Sequence, residues 1–255
     1  AFAAAAQGET FRVHLKVDTG MARLGVPVAS LPAFVDAIAE MPGLVVSGLM
    51  THLAIADWDD VYTHQQLDRF ESALEMVRAA GHTPIAHAAN SAASFRYERA
   101  RYDMVRAGLA LFGDAGFPTE ESGLKPALRL RTQVISLRSL AVGERAGYNG
   151  AFVARAPSTL AILPVGYADG VLRSSAVGGH VLIGGKRCPY VGRISMDLAH
   201  VDVTHLSNVK VGDEVVLLGA QGDERLSARD LAEGAGTIPY EIMTSVSRRV
   251  PRFYS

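Results

Sequence analysis

The sequence predicts an α/β domain followed by an all-β domain. In the first part of the chain, short apolar runs alternate with segments of helical periodicity, which is typical of β-α-β units with parallel strands. After about Gly116 the segments become β-branched, punctuated by glycine and closely spaced, as in all-β domains. We therefore expect an α/β domain over residues 1–116 and a β-domain over residues 117–255.

The length and composition fit this plan. A chain of 255 residues is long enough for one large domain or two of ordinary size, and its 49% hydrophobic and 20% charged residues are typical of folded proteins. A formal charge of −1 gives no general attraction to nucleic acid or to an anionic membrane, so neither is an expected partner. The single cysteine, Cys188, excludes an intramolecular disulfide and suits a reducing compartment, so we expect a cytoplasmic protein.

The two ends of the sequence differ. The chain opens AFAAAAQGET, without an initiator methionine, a basic segment or an apolar run long enough for a signal peptide or a membrane span. The other end, SVSRRVPRFYS, reads as a strand and a short tail. We expect an incomplete N-terminus and a genuine C-terminus.

The elements of the first domain follow one another along the chain. Strands are predicted at FRVHLKV, LVVSGLMTHLA, PIAHAA and YDMVRAG, and helices at SLPAFVDAIAEM, VYTHQQLDRFESALEMVRAAG and near Ser91. Ser30 is a candidate helix N-cap and Gly81 a glycine that follows a helix end. About four βα units are present where a closed (β/α)₈ barrel has eight, so the pattern predicts either a small open sheet or half a barrel.

The second domain is predicted to be mostly strands. They lie at LRLRTQVISLRSL, STLAILPV, HVLIGG, KRCPYVGRI and DEVVLLG, with one helix at LSARDLAEGAG.

Polar residues at the ends of predicted strands indicate a site. FRVHLKVD alternates apolar residues with His14, Lys16 and Asp18, whereas a parallel strand buried on both faces is almost continuously apolar. One face of this strand therefore meets either a polar cavity or solvent at a sheet edge. His52 and Arg106 lie near the C-terminal ends of two later predicted strands, which is where α/β barrels build their sites.

A short segment after Arg106 is suited to an anion. Gly108 and Leu109 lead into a predicted helical turn, where a glycine allows close approach and unpaired N–H groups favour an anion such as phosphate. Ser91 offers a hydroxyl to the same anion, although an ordinary N-cap is the simpler role for it.

Eight motifs together resemble the bacterial alanine racemases. They occur in the order found in that family and cover nearly the whole chain: VHLKVDTGMARLGV, THLAIAD, HAANSAA, VRAGLALFG, GYNGAF, GYADG, GRISMD and IPYEIM with RRVPR. Tyrosine-glycine clusters alone are most often turns, but together with GRISMD they are typical of the racemase β-domain. The resemblance implies a pyridoxal-phosphate enzyme whose barrel, here lacking its first units, precedes a C-terminal β-domain. It also implies a head-to-tail homodimer that interconverts L- and D-alanine and supplies D-alanine for peptidoglycan.

The resemblance implies roles for residues around the cofactor. Tyr148 matches the tyrosine base supplied across the dimer, His52 belongs to its hydrogen-bond network, and Arg106 matches the arginine that faces the pyridine nitrogen. Four positions match residues that hold the phosphate, namely Ser91, Gly108, Leu109 and Tyr240. No metal is expected.

Further matches concern the substrate. Arg23 and the backbone of Met196 match groups that receive the carboxylate of alanine, and Lys16 matches a lysine that is often carbamylated and braces Arg23. Tyr167 and Asp197 match residues around the entrance.

The chemistry of racemisation fits these roles. A proton must leave one face of a planar carbanion and return to the other, which requires two bases. A neutral phenol is a weak base, so Tyr148 needs neighbours such as Arg106 and His52 that stabilise the phenolate. An arginine has only donors and keeps its proton, so it leaves the pyridine nitrogen unprotonated and suppresses transamination.

The family's other base, the lysine that forms the Schiff base with the cofactor, has no counterpart here. Its motif resembles AVVKANAYGHG, which the sequence lacks, and the four lysines are Lys16, Lys125, Lys186 and Lys210. Lys16 is matched to another role, and the other three lie in a hinge, a turn and a surface-like stretch. We therefore expect this chain by itself not to racemise alanine. Two alternatives stay open: another pyridoxal-phosphate barrel enzyme, such as an amino-acid decarboxylase or a broad-specificity racemase, and a non-catalytic fragment that only associates.

Overall fold

The computed structural model describes residue 8, residues 10–118 and residues 123–254. The chain divides into two compact units, Ala1–Lys125 and Pro126–Ser255. Most of the opening segment, on which the expectation of an incomplete N-terminus rests, lies outside the described residues. None of the helices in the described ranges has the length and apolar composition needed to cross a bilayer.

The first unit contains a four-stranded parallel sheet, as the alternation of strands and helices predicts. In pairing order its strands are β2 (Val26–Pro27), β1 (Phe11–Asp18), β3 (Leu44–Met50) and β4 (Ile85–His87). The α-helices are α1 (Leu31–Ala39), α2 (Asp60–Ala79) and α3 (Ser91–Arg96). Short 3-10 helices occupy Val28–Ser30, Glu98–Ala100 and Leu109–Phe112.

The helices of the first unit form where apolar residues recur at intervals of three and four. The buried positions are Leu31, Val35 and Ile38 on α1 and Leu67, Phe70, Leu74 and Val77 on α2, and all belong to one core with Val17 and Leu49 of the sheet. Asp59 caps α2 by accepting a hydrogen bond from the Tyr62 N–H at 2.9 Å. Gly81, with φ of 88°, follows the end of α2 as predicted.

The predicted strand at YDMVRAG is wrong. Its backbone contacts the β4 region at two points, since the Asp103 N–H donates to Ala86 O at 3.1 Å and the Arg106 N–H donates to Ala89 O at 2.9 Å. The Ala86 N–H is taken by Asp103 Oδ2 at 2.8 Å. A side chain thus stands where a strand carbonyl would be, and the backbone ladder is interrupted. Arg106 therefore lies on an irregular segment.

The second unit consists mostly of strands, as predicted, and the strand pairs among its described residues are antiparallel. Its main sheet follows the order β14-β13-β10-β11-β12-β9-β6, with β5 also paired to β13, and β7 and β8 form a separate hairpin. The strands are β5 (Leu130–Gln133), β6 (Ser136–Leu140), β7 (Arg145–Ala146), β8 (Phe152–Val153), β9 (Ser158–Leu163), β10 (His180–Ile183), β11 (Lys186–Val191), β12 (Ala199–Asp202), β13 (Glu214–Gln221) and β14 (Glu224–Leu226).

Two α-helices follow the last strand of the second unit. They are α4 (Ala228–Ala235) and α5 (Pro239–Ser245), with 3-10 turns at Tyr148–Gly150 and Arg173–Ala176. The predicted helix LSARDLAEGAG is confirmed: Ser227 and Asp230 form a capping box, and Gly236 ends the helix in the left-handed region.

The strand predicted near the C-terminus is wrong. The described residues from Val246 to Tyr254 form no strand. The Arg252 guanidinium donates hydrogen bonds to the carbonyls of Val246, Ser247 and Val250. Pro251 has no N–H to give to a ladder. The tail is therefore folded around one arginine instead of pairing with a sheet.

Candidate functional site

The Arg106 guanidinium spans the carboxyl ends of β3 and β4. Its Nη2 donates to Thr51 O at 2.6 Å, immediately after β3, and to Ala88 O at 3.2 Å, immediately after β4. Its Nη1 donates to His87 O at 2.9 Å. Three backbone carbonyls thus fix the orientation of a charged, planar group that has donors only. The Arg106 side chain reaches the ends of β3 and β4, but the strand predicted to carry Arg106 at its own end does not form.

His87 stands directly against this arginine and was missed by the sequence reasoning. Its Nδ1 lies 3.0 Å from Arg106 Nη1, and its side chain is almost fully buried at the end of β4. Burial, then the charge of Arg106 and the nearby His14 ring, lower the pKa of His87 to about 4. His87 is therefore a neutral acceptor for Arg106 at neutral pH. The signal that identified His52, a histidine ending a buried strand, also applied to PIAHAA.

His52 lies two residues beyond β3 and is half-buried. Its pKa is lowered first by burial and then by the positive charges of Arg106, Arg23 and Lys16. The charges of three of the predicted cationic residues therefore act on this imidazole. A neutral histidine in such surroundings is suited to accept a hydrogen bond.

Ser91 is not a helix cap. Asn90 caps α3 by accepting from the Ala93 N–H at 3.0 Å, which leaves the Ser91 hydroxyl for another partner. Its Oγ accepts from the backbone N–H groups of Gly108 and Ala110, each at 3.1 Å. The turn that begins at Leu109 thus directs two N–H donors at one buried hydroxyl. Because Ser91 Oγ accepts from both N–H groups, its own O–H is left as the donor that could bind a phosphate oxygen.

One carboxylate organises the loop that carries Arg23. Asp18 Oδ1, at the end of β1, accepts from the N–H groups of Gly20 and Met21 at 2.9 Å and of Ala22 at 3.1 Å. These hydrogen bonds, that of Gly20 foremost, lower the pKa of Asp18. Arg23 follows directly and is exposed, and the charge of Lys16 acts on both Asp18 and His52. Sequence reasoning noted Asp18 as polar but gave it no role.

The second unit holds the two tyrosine clusters beside one cavity. Tyr148, Tyr167 and Met196 line a space of about 490 Å³, together with Arg173 and Arg193. Tyr148 is 68% exposed, so its hydroxyl is accessible in this unit. The two arginines make the lining cationic, and sequence reasoning did not identify either of them.

Backbone contacts bring Tyr167 and Met196 together. The Tyr167 N–H donates to Ser195 O and the Ala168 N–H donates to Met196 O, both at 3.0 Å. Gly166 allows this approach, because a Cβ there would lie 2.3 Å from Ser195 O and 2.4 Å from Met196 O. The GYADG and GRISMD motifs are therefore adjacent in space. Because Gly166 has no side chain, their backbones approach within hydrogen-bonding distance.

Asp197 and Tyr240 occupy separate places in this unit. Arg249 Nη2 donates to Asp197 Oδ1 at 2.5 Å, and its Nε donates to Asp169 Oδ1 at 2.8 Å. Arg249 thus ties the RRVPR segment to the exposed Asp197 of GRISMD and to the buried Asp169 of GYADG. Tyr240 is the second residue of α5 and is about half exposed.

The predicted site residues thus form two sets. The first unit holds Lys16, Arg23, His52, Ser91, Arg106, Gly108 and Leu109, and the second holds Tyr148, Tyr167, Met196, Asp197 and Tyr240. In the first set, the structure joins Arg106 to the strand ends and Ser91 to the turn at Gly108. In the second, it joins Tyr148, Tyr167 and Met196 in one cavity.

Comparison with known protein families gives two matches that together cover nearly all of the chain. Residues 1–116 match the family described as alanine racemase, N-terminal domain, and residues 127–254 match alanine racemase, C-terminal domain.

Individual relatives and solved structures agree with these matches. The chain is similar to an alanine racemase of Sorangium cellulosum (44% identical, 95% of this chain and 65% of the relative) and to one of Symbiobacterium thermophilum (45%, 97% and 67%). Among solved structures, it is similar to the biosynthetic alanine racemase of Pseudomonas aeruginosa, with a TM-score of 0.89, 39% identity and coverage of 100% of this chain and 70% of that one. It is also similar to an alanine racemase of Bartonella henselae with covalently bound pyridoxal phosphate (TM-score 0.90, 31% identity, 100% and 69% coverage). The chain spans about two thirds of the length of these curated relatives.

Both family matches, the relatives and the fold of each unit lead to one conclusion: the chain belongs to the alanine racemase family.

Proposed function

We propose that the chain provides residues of a pyridoxal-phosphate-dependent alanine racemase, which interconverts L- and D-alanine and supplies D-alanine for peptidoglycan. The observation that carries the proposal is the presence, in the first unit, of a fixed guanidinium at the strand ends and of a turn that holds the Ser91 hydroxyl two residues further along, where its O–H suits a phosphate. In this proposal, residues 1–116 are the later part of a (β/α)₈ barrel and residues 117–255 are the β-domain. The lone cysteine, Cys188, is buried and unpaired, which supports a cytoplasmic location.

The residues of the first unit fit the cofactor. Pyridoxal phosphate, when bound, supplies an electron sink for the carbanion left when alanine loses its α-proton. Arg106 would face the pyridine nitrogen, where a group without an acceptor leaves that nitrogen unprotonated. Ser91, Gly108 and Leu109 would hold the phosphate, and Tyr240 is proposed as a further phosphate ligand.

Tyr148 is the proposed base of this chain, taking or returning the α-proton at its hydroxyl. Its exposure in the second unit supports a role toward a partner molecule, and we propose a homodimer in which it reaches the partner's cofactor site. His52 and Arg106 are the proposed neighbours that stabilise the phenolate, since a neutral His52 has one ring N–H to donate to it and Arg106 is a fixed cation.

The proposed substrate groups are Arg23 and the backbone N–H of Met196, which receive the carboxylate of alanine. The loop held by Asp18 supports this role for Arg23, since it fixes the backbone from which the side chain extends. Lys16, in carbamylated form, is proposed to brace Arg23. Tyr167 and Asp197 are proposed to line the entrance, and the cavity shared by Tyr167 and Met196 supports this.

We also propose that these 255 residues alone do not racemise alanine. Three of the four lysines, namely Lys125, Lys186 and Lys210, are exposed, and the last two belong to the second unit. The fourth, Lys16, already has the proposed role beside Arg23. None of the four is therefore assigned to bind the cofactor covalently.

The experiment adds pyridoxal phosphate and L-alanine to the purified chain, with and without an N-terminal barrel fragment of a relative that carries the family lysine. We expect D-alanine only in the mixture, and we expect Tyr148→Phe to abolish it. Borohydride reduction and mass spectrometry should place the cofactor on the added fragment. Turnover by the chain alone, with cofactor on one of its own lysines, would contradict the proposed inactivity. Release of carbon dioxide, or an inert mixture, would favour a decarboxylase or an association fragment.

A further inference from the structure

A second histidine stands behind His87. His14, in the middle of β1, places its Nδ1 2.7 Å from His87 Nε2. The two rings meet edge to face, with centroids 4.9 Å apart and an interplanar angle of 61°. On the other side of His87, Nδ1 faces Arg106. The three side chains form one line of hydrogen bonds that starts at the cofactor-facing arginine of the proposed function.

We propose that His14 is a positioning residue: it holds His87 in the orientation and tautomer that present an unprotonated Nδ1 to Arg106. This inference rests on the proposed function only in the role given to Arg106. The contact between His14 and His87 is made within this chain and does not require the cofactor.

The direction of the hydrogen bonds follows from the donors available. A guanidinium has five N–H donors and no acceptor, so His87 Nδ1 must be the acceptor and carries no proton. A neutral imidazole has one N–H, which must then be at Nε2 of His87. That N–H donates to His14 Nδ1, which is therefore also unprotonated. The line runs one way, from Arg106 through His87 to His14.

The sheet is built to admit the His14 ring. The pairing of β1 with β3 shifts register between Val13 and His14, so His14 stands opposite Gly48. A Cβ at Gly48 would lie 2.4 Å from His14 Nδ1 and 2.5 Å from its Cγ. Gly48 does not have a positive φ, so its backbone conformation does not require glycine. Position 48 requires glycine because the His14 imidazole occupies the space that any side chain at position 48 would fill.

The test uses the chain labelled with ¹⁵N-histidine, at neutral pH and without cofactor, and reads the protonation of each ring nitrogen by long-range ¹H–¹⁵N NMR. In the wild type we expect His87 to carry its proton on Nε2. His14→Asn keeps an acceptor oxygen at the position of Nδ1 and should preserve this pattern. His14→Leu fills similar space without an acceptor, and the ratio of the two His87 tautomers should fall about 2- to 10-fold, the range expected for one lost hydrogen bond.

Gly48→Ala is the second variant, because it displaces the His14 ring and removes no polar group. It should lower the same ratio, whereas His82→Leu, outside this line, should leave His87 unchanged. A proton on Nδ1 of wild-type His87 would overturn the proposal, and so would a wild-type pattern in both His14→Leu and Gly48→Ala. Equal losses in His14→Asn and His14→Leu would show that packing is responsible and would also overturn it. Failure of the proposed function would appear in the racemisation assay and would leave these cofactor-free spectra unchanged.

Discussion

At the residue scale, the position of Ser91 at the start of a helix suggests a capping role, but its hydroxyl binds a distant turn instead. It opens α3, yet Asn90 makes the cap, and Ser91 Oγ is the acceptor for the N–H groups of Gly108 and Ala110. The serine is buried, whereas Gly108 is exposed and Ala110 is partly buried, so water can replace part of this contact. The contact therefore contributes both to stability and to the shape of the turn.

Replacing Ser91 with alanine should leave two N–H donors without this acceptor. We expect the free energy of unfolding to fall by about 0.5–1.5 kcal/mol, the net contribution of a hydrogen bond whose donors water can reach. Urea denaturation followed by far-UV circular dichroism measures the change. Ser94→Ala is the control, because Ser94 Oγ donates to the carbonyl of Asn90, the N-cap of the same helix, at 2.7 Å. Equal effects of the two substitutions would argue against a special role for Ser91.

His87 should make the stability of the first unit depend on pH. Its pKa is about 4 in the folded chain, against an ordinary value of 6.5, so between these values the unfolded chain binds a proton that the folded chain does not. The free energy of unfolding should therefore fall as the pH falls through this window, by at most about 1.4 kcal/mol per pH unit. His87→Asn, which keeps an acceptor for Arg106 but does not titrate, should have a shallower slope.

The measurement for this prediction is the urea midpoint as a function of pH for wild type, His87→Asn and the control His82→Asn. Carboxylates such as Asp18 lose stabilising charge at low pH in all three proteins, so only the difference in slope reports on His87. Identical slopes for wild type and His87→Asn would contradict the assignment.

At the scale of elements, the site depends on segments that approach backbone to backbone. Gly166 joins the GYADG turn to the GRISMD turn, where the N–H groups of Tyr167 and Ala168 donate to the carbonyls of Ser195 and Met196. No side chain fits between them, since even a Cβ would overlap two carbonyl oxygens. Met196 can therefore lie beside Tyr167 because residue 166 is a glycine and has no Cβ.

Gly166→Ala should separate these two turns. Overlap with backbone atoms cannot be relieved by rotating a side chain, so we expect a loss of about 1–3 kcal/mol in the stability of the second unit. We also expect faster hydrogen exchange at Tyr167 and Ala168. Gly178→Ala is the matched control, because the nearest atom to its Cβ would be Gly234 O at an ordinary 3.4 Å. Unchanged exchange at Tyr167 in Gly166→Ala would show that the turns tolerate the methyl group.

At the scale of the whole molecule, the second unit has its own hydrophobic core. Its apolar clusters draw only on described residues between Leu128 and Met243, and they combine inner faces of the main sheet with α4 and α5. The first unit likewise packs its helices on its own sheet. Units with separate cores are expected to fold separately.

Residues 126–255 should therefore fold when expressed alone. We expect a cooperative thermal transition and a circular dichroism spectrum dominated by β-structure. Val215→Asp places a charge at a fully buried position of β13 and should abolish the transition, which identifies it as unfolding of the core. A fragment without a cooperative transition would show that its core depends on the first unit.

The sequence by itself determined what depends on local pattern. Periodicity and turn residues predicted the parallel α/β unit, the all-β unit and the helices α1, α2 and α4, and the motifs predicted the family and the candidate residues. These signals extend over a few residues, within the length of a helix turn or a strand. They failed at YDMVRAG and at the C-terminal tail, where the side chains of Asp103 and Arg252 take backbone partners that a strand would need.

Only the tertiary structure decided which polar groups meet. The Ser91 hydroxyl finds N–H groups 17 and 19 residues away, and His14 meets His87 across 73 residues through the register of β1 on β3. Such partners depend on how strands pair and on where a glycine leaves room, and neither is encoded in the spacing of nearby residues. The local pattern therefore predicts which residues are polar at the ends of the strands, whereas strand register determines which of them form a site.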